Sequence, residues 1–134
     1  VEIWQACASG KYDHPGDPNP APLDPAFQYW GIVRTNEKGE YAFKTIFPGA
    51  YPADENWIRP PHIHFKVHKW SYSELITQLY FEGEALNASD SILQNLSPQE
   101  QLKVVRAVEV KTDATNQTRE EVFFPITLTK GANS

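Results

Sequence analysis

The sequence predicts a mainly β fold: a β-sandwich with long loops and one short helix. Short apolar runs recur along the 134 residues and turn residues separate them, which is typical of an all-β sandwich. Eleven prolines favour loops over long regular elements, because each proline fixes φ and removes a backbone donor. A helix start is predicted at residues 97–100, where Ser-Pro-Gln-Glu supplies an N-cap, a first-turn proline and an N3 glutamate.

The individual elements follow from apolar runs that end at turn signals. The sequence Asn-Glu-Lys-Gly at 36–39 predicts a hairpin turn, with Gly39 available for a positive φ. Residues 10–30 are rich in Pro, Asp and Asn and predict a long loop, and residues 47–57 predict a second loop. The predicted strands are residues 1–7, 32–35, 40–46, 62–68, 75–81, 104–111 and 122–129, and the predicted helix is residues 97–103.

Composition and charge limit the classes of function. The length suits a single domain over residues 1–134, and 40% hydrophobic residues are enough for a packed core. The formal net charge of −5 argues against nucleic acid or an anionic membrane as a partner, and no apolar run is long enough to span a bilayer. Cys7 is the single cysteine, so no intrachain disulfide is expected.

The first residues already have strand character, with no initiator methionine and no signal-like apolar region. This start predicts a chain that begins inside a fold element, as a processed or truncated protein does. The compartment is left open, with the cytoplasm favoured. The sequence also leaves the oligomeric state open and is compatible with an oligomer.

The segment Arg-Pro-Pro-His-Ile-His-Phe at 59–65 is where chemistry is expected. Side chains alternate between the two faces of a strand, so His62 and His64 are predicted to share one face. Ile63 and Phe65 are predicted to point the other way, into the core. Neutral imidazole is the commonest metal ligand at neutral pH, so this pair supplies half of a metal site. A His-x-His pair also arises by chance, and the pair alone leaves both interpretations open.

Further ligands have to come from elsewhere in the chain. No Asp or Glu stands at the spacing of a ferrous facial triad. His68 lies further along the same strand and is expected to face solvent, whereas His14 in the first loop remains a candidate. Tyr12 and Tyr51 lie in loops, where tyrosines are usually packing or surface residues. A phenolate is nevertheless a hard oxygen ligand that suits ferric iron.

Longer stretches of the chain resemble the intradiol ring-cleavage dioxygenases, and within that family the protocatechuate branch. The resemblance covers roughly residues 1 to 96 in order, which is far more than one short motif, and it is looser beyond Leu96. The matching stretches are V-E-I-W-Q-A at 1–6, G-K-Y-D-H at 10–14, A-P-L-D-P at 21–25, G-E-Y-A-F-K-T-I-F-P-G-A-Y-P at 39–52, R-P-P-H-I-H-F at 59–65 and L-I-T-Q-L-Y-F-E-G at 75–83.

The resemblance implies a site with a non-haem ferric ion, Fe(III), held by two tyrosines and two histidines. By motif, the implied metal ligands are Tyr12, Tyr51, His62 and His64. Tyr51 also has an implied catalytic role, because it leaves the iron and takes up a proton when a catechol chelates. Arg59 and Gln78 are the other implied catalytic residues, which stabilise developing charge.

The implied reaction cleaves a catechol-type ring, protocatechuate-like, between its two hydroxyl-bearing carbons. The implied partners are the small catechol and O2, and the product is a cis,cis-muconate. Ala53 stands where protocatechuate enzymes often carry a tryptophan that contacts substrate. The exact catechol is therefore left open.

Two other classes of function fit parts of the same sequence. Residues 39–51 also match the pattern G-x-Y-x-F-x-x-I-x-P-G-x-Y of transthyretin-like β-sandwiches, which are binding modules without catalysis. Such modules have no use for His-x-His together with Tyr12 and Arg59, so this alternative is disfavoured. A zinc or copper protein that uses the same histidines is the third interpretation, and metal analysis separates it from the iron enzyme.

Overall fold

The computed structural model describes residues 1–131 and confirms a mainly β fold. Within this range the strands form one five-stranded sheet and two two-stranded sheets. The helices of this range are short and lie between the sixth and the seventh strand in the chain. The strands are β1 Glu2–Gln5, β2 Trp30–Ile32, β3 Tyr51–Asp54, β4 Trp57–Arg59, β5 His62–Val67, β6 Leu75–Phe81, β7 Val105–Arg106, β8 Val108–Thr112 and β9 Thr118–Val122; the helices are the 3₁₀ helix Ala85–Ser89, α1 Ser91–Gln94 and α2 Pro98–Val104.

The large sheet has the order β2-β1-β5-β6-β7, so β5 occupies its centre. All neighbouring strands run antiparallel except β6 and β7, which run parallel. The register places Trp4 of β1 opposite His64 of β5, and places His64 opposite Gln78 of β6. The same pairing sets His62 opposite Tyr80. One sheet face therefore carries a row of polar and aromatic side chains across three strands.

The opposite face of β5 builds the hydrophobic core. Phe65 is 1% exposed, and it packs with Leu79 and Phe81 of β6 and with Phe124 from the last part of the chain. Burial of one such aromatic side chain contributes about 2–3 kcal/mol to folding. Residues 40–47 and 123–128 and the hairpin of β8 and β9 cover this face as the second layer. An open cavity of about 1900 Å³ remains between the layers, so the packing over this face is incomplete.

The predicted hairpin around Gly39 forms its turn but not both of its strands. The N–H of Asn36 donates to the Glu40 carbonyl at 3.0 Å, and Gly39 adopts a φ of +78°. The strand before the turn is Trp30–Ile32, earlier than predicted, and residues 40–46 form no strand. Their apolar side chains pack on the core, but no described strand lies beside them to complete a ladder.

Two other regions differ from the predicted elements. The β3–β4 hairpin begins inside the predicted loop 47–57 and continues to Arg59. It was not predicted because prolines argue against strands, and its register shifts after Pro52. The predicted strand 104–111 is split, because the chain leaves the large sheet after Arg106 and enters the β8–β9 hairpin. The final strand lies at Thr118–Val122, earlier than predicted, because the hairpin turns at residues 113–117.

The helix start at Ser97 is confirmed. Its hydroxyl accepts a hydrogen bond from the N–H of Glu100 at 3.2 Å, and the Glu100 carboxylate accepts one from the Ser97 N–H at 3.3 Å. The helix spans Pro98–Val104, one residue later than predicted at each end. A second, shorter helix, Ser91–Gln94, was not predicted, and Asp90 caps its N-terminus. No helix among residues 1–131 is both long and apolar enough to cross a membrane.

Candidate active site

The two histidines of β5 lie on the same face of the sheet, opposite the core. Ile63 and Phe65 point into the core and are 3% and 1% exposed, as strand alternation requires. His62 is 2% exposed and His64 is partly buried. The imidazoles therefore lie in a protein-lined recess, where solvent competes weakly for their lone pairs.

The Tyr12 hydroxyl joins these histidines. Its oxygen lies 2.9 Å from Nε2 of His62 and 3.2 Å from Nε2 of His64, and the two Nε2 atoms are 3.2 Å apart. Two ligand atoms that share one metal ion at about 2.0–2.1 Å, at an angle of about 90–105°, lie roughly 2.9–3.3 Å apart. The three atoms thus have the spacing of one face of a metal coordination shell.

The first loop holds Tyr12 in this place. Its backbone N–H donates to the Asp17 carboxylate at 2.6 Å, and the same carboxylate accepts from the Asn19 N–H at 3.0 Å. Lys11 adds a bond from its ammonium group to the Asn19 carbonyl at 3.0 Å. These hydrogen bonds fix the shape of an otherwise irregular loop. The loop therefore holds the Tyr12 oxygen against His62 of β5, which lies 50 residues later in the sequence.

Backbone and ring contacts orient both imidazoles. His62 Nδ1 lies 2.8 Å from the Pro60 carbonyl, so Nδ1 carries the proton and Nε2 presents its lone pair. The ring of His64 stacks on Trp4, with centroids 4.8 Å apart and planes 3° from parallel. The Gln78 amide nitrogen lies 3.4 Å from His64 Nδ1, on the side of the ring away from the phenol. Both Nε2 atoms therefore face Tyr12.

Burial sets the protonation of these three groups. Desolvation, together with the charge of Arg59, lowers the pKa of His62 to about 4. Desolvation and the neighbouring His62 and Arg59 charges lower the pKa of His64 to about 3. Desolvation raises the pKa of the Tyr12 phenol above its ordinary value. At neutral pH the imidazoles are in their ligand form, and a phenolate at Tyr12 needs a nearby cation to stabilise it.

Tyr51 lies beside this triangle of donor atoms. It begins β3 and pairs in register with Arg59 of β4. Its ring meets the Tyr12 ring edge-on at a centroid separation of 4.8 Å. Within residues 1–131 its hydroxyl has no hydrogen-bond partner, and burial raises its pKa. The structure thus brings three of the predicted ligand atoms together, and it places the ring of the fourth next to them.

Arg59 lies behind His62, at 4% exposure. Its Nη1 is 3.2 Å from His62 Nε2, and its Nη2 donates to Gln78 Oε1 at 2.6 Å and to the Tyr80 hydroxyl at 3.0 Å. Asp90 accepts from Nε at 2.9 Å and from Nη2 at 3.2 Å. The predicted catalytic residues Arg59 and Gln78 are therefore in direct contact with each other and with a metal-ligand candidate.

The sequence predicted no site role for Asp90, Tyr80 or Asp17. Strand alternation places Tyr80 on the β6 face that carries Gln78, but nothing in the sequence assigned it a function. Asp90 precedes the Ser-Ile-Leu-Gln run as an N-cap residue, a local signal for a helix but not for an ion pair. Asp17 gave no signal within its Pro-rich loop.

The other histidines lie apart from the triangle. His14 is exposed, and its Nδ1 accepts a hydrogen bond from the Gly16 N–H at 2.9 Å. His68 is exposed, as predicted. Among residues 1–131 no group of three or more His, Cys, Asp or Glu side chains could hold a metal ion. A metal site at the two histidines therefore needs a donor of another kind, and tyrosine oxygen is the kind that lies beside them.

Comparison with known proteins identifies the family of this chain. A family described as Dioxygenase matches residues 1–130. The chain is also 48% identical over 97 residues to the protocatechuate 3,4-dioxygenase beta chain of Burkholderia cepacia. The chain belongs to the intradiol ring-cleavage dioxygenase family. The match to the beta chain covers 70% of this chain and 41% of that protein.

Other members of the family match more of this chain at lower identity. Catechol 1,2-dioxygenase 1 of Acinetobacter lwoffii is 31% identical over 146 residues, which cover 96% of this chain and 45% of that protein. Among solved structures, 3-chlorocatechol 1,2-dioxygenase from Rhodococcus opacus 1CP superposes with a TM-score of 0.73 at 27% identity, over 96% of this chain and 51% of that one. This dioxygenase-family chain thus spans about half the length of these relatives or less.

Proposed function

We propose that this chain forms the iron site of a non-haem Fe(III) intradiol dioxygenase that cleaves a catechol-type ring with O2. The observation that carries the proposal is the convergence of one phenol oxygen and two imidazole nitrogens within 3.2 Å of one another. Membership of the family supports it. The family match also favours this function over that of a transthyretin-like binding module, since it spans residues 1–130 and not only the shared motif.

The residues of the site suit ferric iron. Tyr12, His62 and His64 would hold the ion, and Tyr51 is the proposed fourth ligand. A hard phenolate oxygen favours a highly charged ion, and neutral imidazole binds iron as well as zinc or copper. Ferric iron, when bound, would withdraw electron density from a chelated catechol and so make a ring carbon reactive toward O2. This donor set therefore favours iron over zinc.

Tyr51 would act as a base when the catechol binds. A catechol gives up two protons to chelate a metal, and at least one needs a nearby acceptor. As the proposed fourth ligand, Tyr51 would take up one of these protons when the catechol replaces it. Without a metal, burial raises the pKa of the Tyr51 phenol, so this residue is readily protonated once it is no longer a ligand. Its ring contacts Tyr12, and its hydroxyl has no hydrogen-bond partner within the described residues that would hold it in place.

Arg59 and Gln78 would stabilise negative charge that develops on the substrate. The guanidinium is held in the interior, where a fixed charge acts more strongly than it does in water. Its Nη1 reaches the metal side of His62, at 3.2 Å from Nε2. Gln78 accepts from the guanidinium and places its amide nitrogen against His64. Arg59 would therefore face the metal side of His62, whereas Gln78, which contacts the other edge of His64, would act through its hydrogen bond to Arg59.

The reaction balances without a reductant. One catechol and one O2 give one cis,cis-muconate, because both oxygen atoms enter the product as the ring carbon–carbon bond breaks. We propose a protocatechuate-like substrate, in keeping with the 48% identity to the protocatechuate enzyme's beta chain. That relative is the beta chain of its enzyme, and we propose that this chain likewise acts in an oligomer. A cytoplasmic location remains a prediction.

The test is metal analysis and product analysis of the purified protein. We expect about one iron per chain and a visible absorption band from phenolate-to-ferric charge transfer. With ¹⁸O2 and protocatechuate or catechol, both labelled atoms should appear in one ring-opened diacid. Stoichiometric zinc in a colourless protein, or a product with one labelled oxygen, would rule out the proposal.

A further inference from the structure

Asp90 is the most completely buried charged residue of the described chain, at 0% exposure. Its carboxylate accepts four hydrogen bonds: from Arg59 Nε at 2.9 Å, Arg59 Nη2 at 3.2 Å, the Tyr80 hydroxyl at 3.1 Å and the Leu93 N–H at 3.0 Å. Ionisation of a buried carboxylate requires such partners. Nothing in the catalytic scheme uses this residue directly.

The hydrogen bonds of Arg59 to Asp90 use one edge of the guanidinium and leave the Nη1 side to face the candidate site. One carboxylate oxygen of Asp90 accepts from Nε and the other accepts from Nη2, which also donates to Gln78 and Tyr80. Nη1 is left to face Nε2 of His62, at 3.2 Å. The planar guanidinium cannot turn about its own axis without breaking the bonds to the carboxylate.

The carboxylate also balances the charge of Arg59. A guanidinium at 4% exposure beside a metal ligand would repel a bound cation, and it would itself be costly to bury alone. Trp57 covers it from another side, with the guanidinium carbon 5.6 Å from the ring centroid. The ion pair with Asp90 therefore allows the Arg59 guanidinium to lie close to the candidate metal site and holds it in one orientation.

We propose that Asp90 is the positioning residue for Arg59, fixing the guanidinium so that Nη1 faces the metal side of His62. Asp90 touches neither substrate nor metal, and its influence passes through Arg59. The proposal rests on the proposed function for its catalytic consequence, but the ion pair itself can be tested without catalysis. It also gives α1 a role, since the residue that caps this helix is the one that bonds Arg59 of β4 and Tyr80 of β6.

The experiment is a double-mutant cycle on the iron-loaded protein with Asp90→Asn, Arg59→Met and both together. Asn has nearly the size of Asp and is also a good N-cap, so Asp90→Asn mainly removes the charge. We expect Asp90→Asn to lower kcat about 10- to 100-fold, as loss of a supporting partner usually does. In the Arg59→Met background the same change should lower kcat no further.

Ser97→Ala is the matched control, because it removes the cap of α2 without contact to Arg59. It should leave kcat unchanged. If Asp90→Asn has wild-type kcat, or lowers kcat by the same factor in both backgrounds, Asp90 does not act through Arg59 and the proposal is overturned.

Thermal unfolding of the metal-free variants separates this proposal from the proposed function. Each single change leaves one buried charge unpaired, whereas the double variant leaves none. The double variant should therefore melt at a higher temperature than Arg59→Met. This comparison of melting temperatures tests whether Asp90 and Arg59 pair even if Asp90→Asn alone fails to fold, or if the wild type does not cleave catechols. A double variant that melts below Arg59→Met overturns the proposal.

Discussion

At the scale of residues, Tyr12, His62 and His64 bring three lone-pair donors into one small volume, and burial sets how each is protonated. The imidazole pKa values of about 4 and about 3 leave both rings neutral near pH 7. The raised pKa of the Tyr12 phenol makes its ionisation depend on a cation. Metal binding at this site would therefore be coupled to ionisation of the Tyr12 phenol.

The two tyrosines should behave differently when each is changed to phenylalanine. Tyr12→Phe should lose iron, because it removes an oxygen within 3.2 Å of both imidazole nitrogens. Tyr51→Phe should keep most of its iron and bind catechol more slowly, since the base is gone. Metal content and anaerobic visible spectra with and without catechol measure both effects. An unchanged tyrosinate band in Tyr12→Phe with catechol bound would contradict the assignment of Tyr12 as the retained ligand.

Arg59→Ala should reduce both turnover and stability. Loss of an electrostatic donor typically costs about 100-fold or more in rate. Because Asp90 is then buried without its partner, the free energy of unfolding should also fall by about 3–5 kcal/mol. Steady-state kinetics and urea denaturation measure the two effects, with iron content as the control for metal loss. Wild-type kcat in a folded, iron-loaded Arg59→Ala protein would disprove the catalytic role.

At the scale of elements, the register of β1 against β5 places Trp4 opposite His64. The two rings stack with centroids 4.8 Å apart and planes 3° from parallel. This stack fixes the plane of the His64 imidazole, because the Gln78 amide nitrogen holds Nδ1 only loosely, at 3.4 Å. Strand β1 thus orients a candidate ligand, His64, although it contributes none itself. The register itself follows from apolar residues on the core face, because a slip by one residue would turn every side chain of β1 over.

Trp4→Ala should therefore weaken metal binding without abolishing it. Supporting partners of metal ligands typically contribute about 10- to 100-fold in affinity. Trp4→Phe is the matched control, since it keeps an aromatic face against His64 and should retain most of the affinity. Competition with a chelator measures the metal affinity of each variant. Equal affinities for Trp4→Ala and wild type would show that the stack does not orient the ligand.

At the scale of the whole molecule, the buried polar site and the core lie on opposite faces of one sheet. The core side is incompletely covered, with a cavity of about 1900 Å³ between the layers. On the site side, two neutral histidines and a buried ion pair replace apolar packing. These buried polar groups lower the stability of the fold, and the candidate site is built from them.

The stability of the metal-free protein should depend on pH because of the two buried histidines. In the unfolded chain a histidine titrates near 6.5, whereas in the folded protein His62 titrates at about 4 and His64 at about 3. Between these values the unfolded state binds more protons, so stability is fully present above pH 6.5 and is lost as pH falls toward 4. Each histidine contributes at most about 1.4 kcal/mol per pH unit in this window.

Urea denaturation of chelator-treated protein between pH 7.5 and 4.5 measures this dependence. His62→Gln/His64→Gln is the comparison variant, and its stability should change less over the same range. His14→Gln, which changes an exposed histidine, should follow the wild type. A double variant with the wild-type pH dependence would show that other groups are responsible.

Much of the site was predictable from local sequence. The period of a strand places His62 and His64 on one face, and the Ser97 capping box marks a helix, because both depend on neighbours within a few residues. The family resemblance singled out Tyr12 and Arg59 as well. Among the predictions that failed are the strand at residues 40–46 and the loop that contains most of the β3–β4 hairpin, where missing ladder partners and prolines override local propensity. The predicted strands at 32–35, 104–111 and 122–129 are shifted or split, because strand pairing across the chain sets their bounds.

What the sequence by itself determined was the class of fold and the face of β5 that carries the histidines, and its family resemblance singled out the other candidate site residues. Only the tertiary structure decided that the Tyr12 oxygen meets imidazoles 50 residues away, and that Asp90 meets Arg59 across 31 residues. The physical reason is one of range. Side-chain alternation is fixed by the geometry of the local backbone, whereas the docking of a loop or a helix cap against a strand depends on packing and hydrogen bonds that form only when the whole core is assembled.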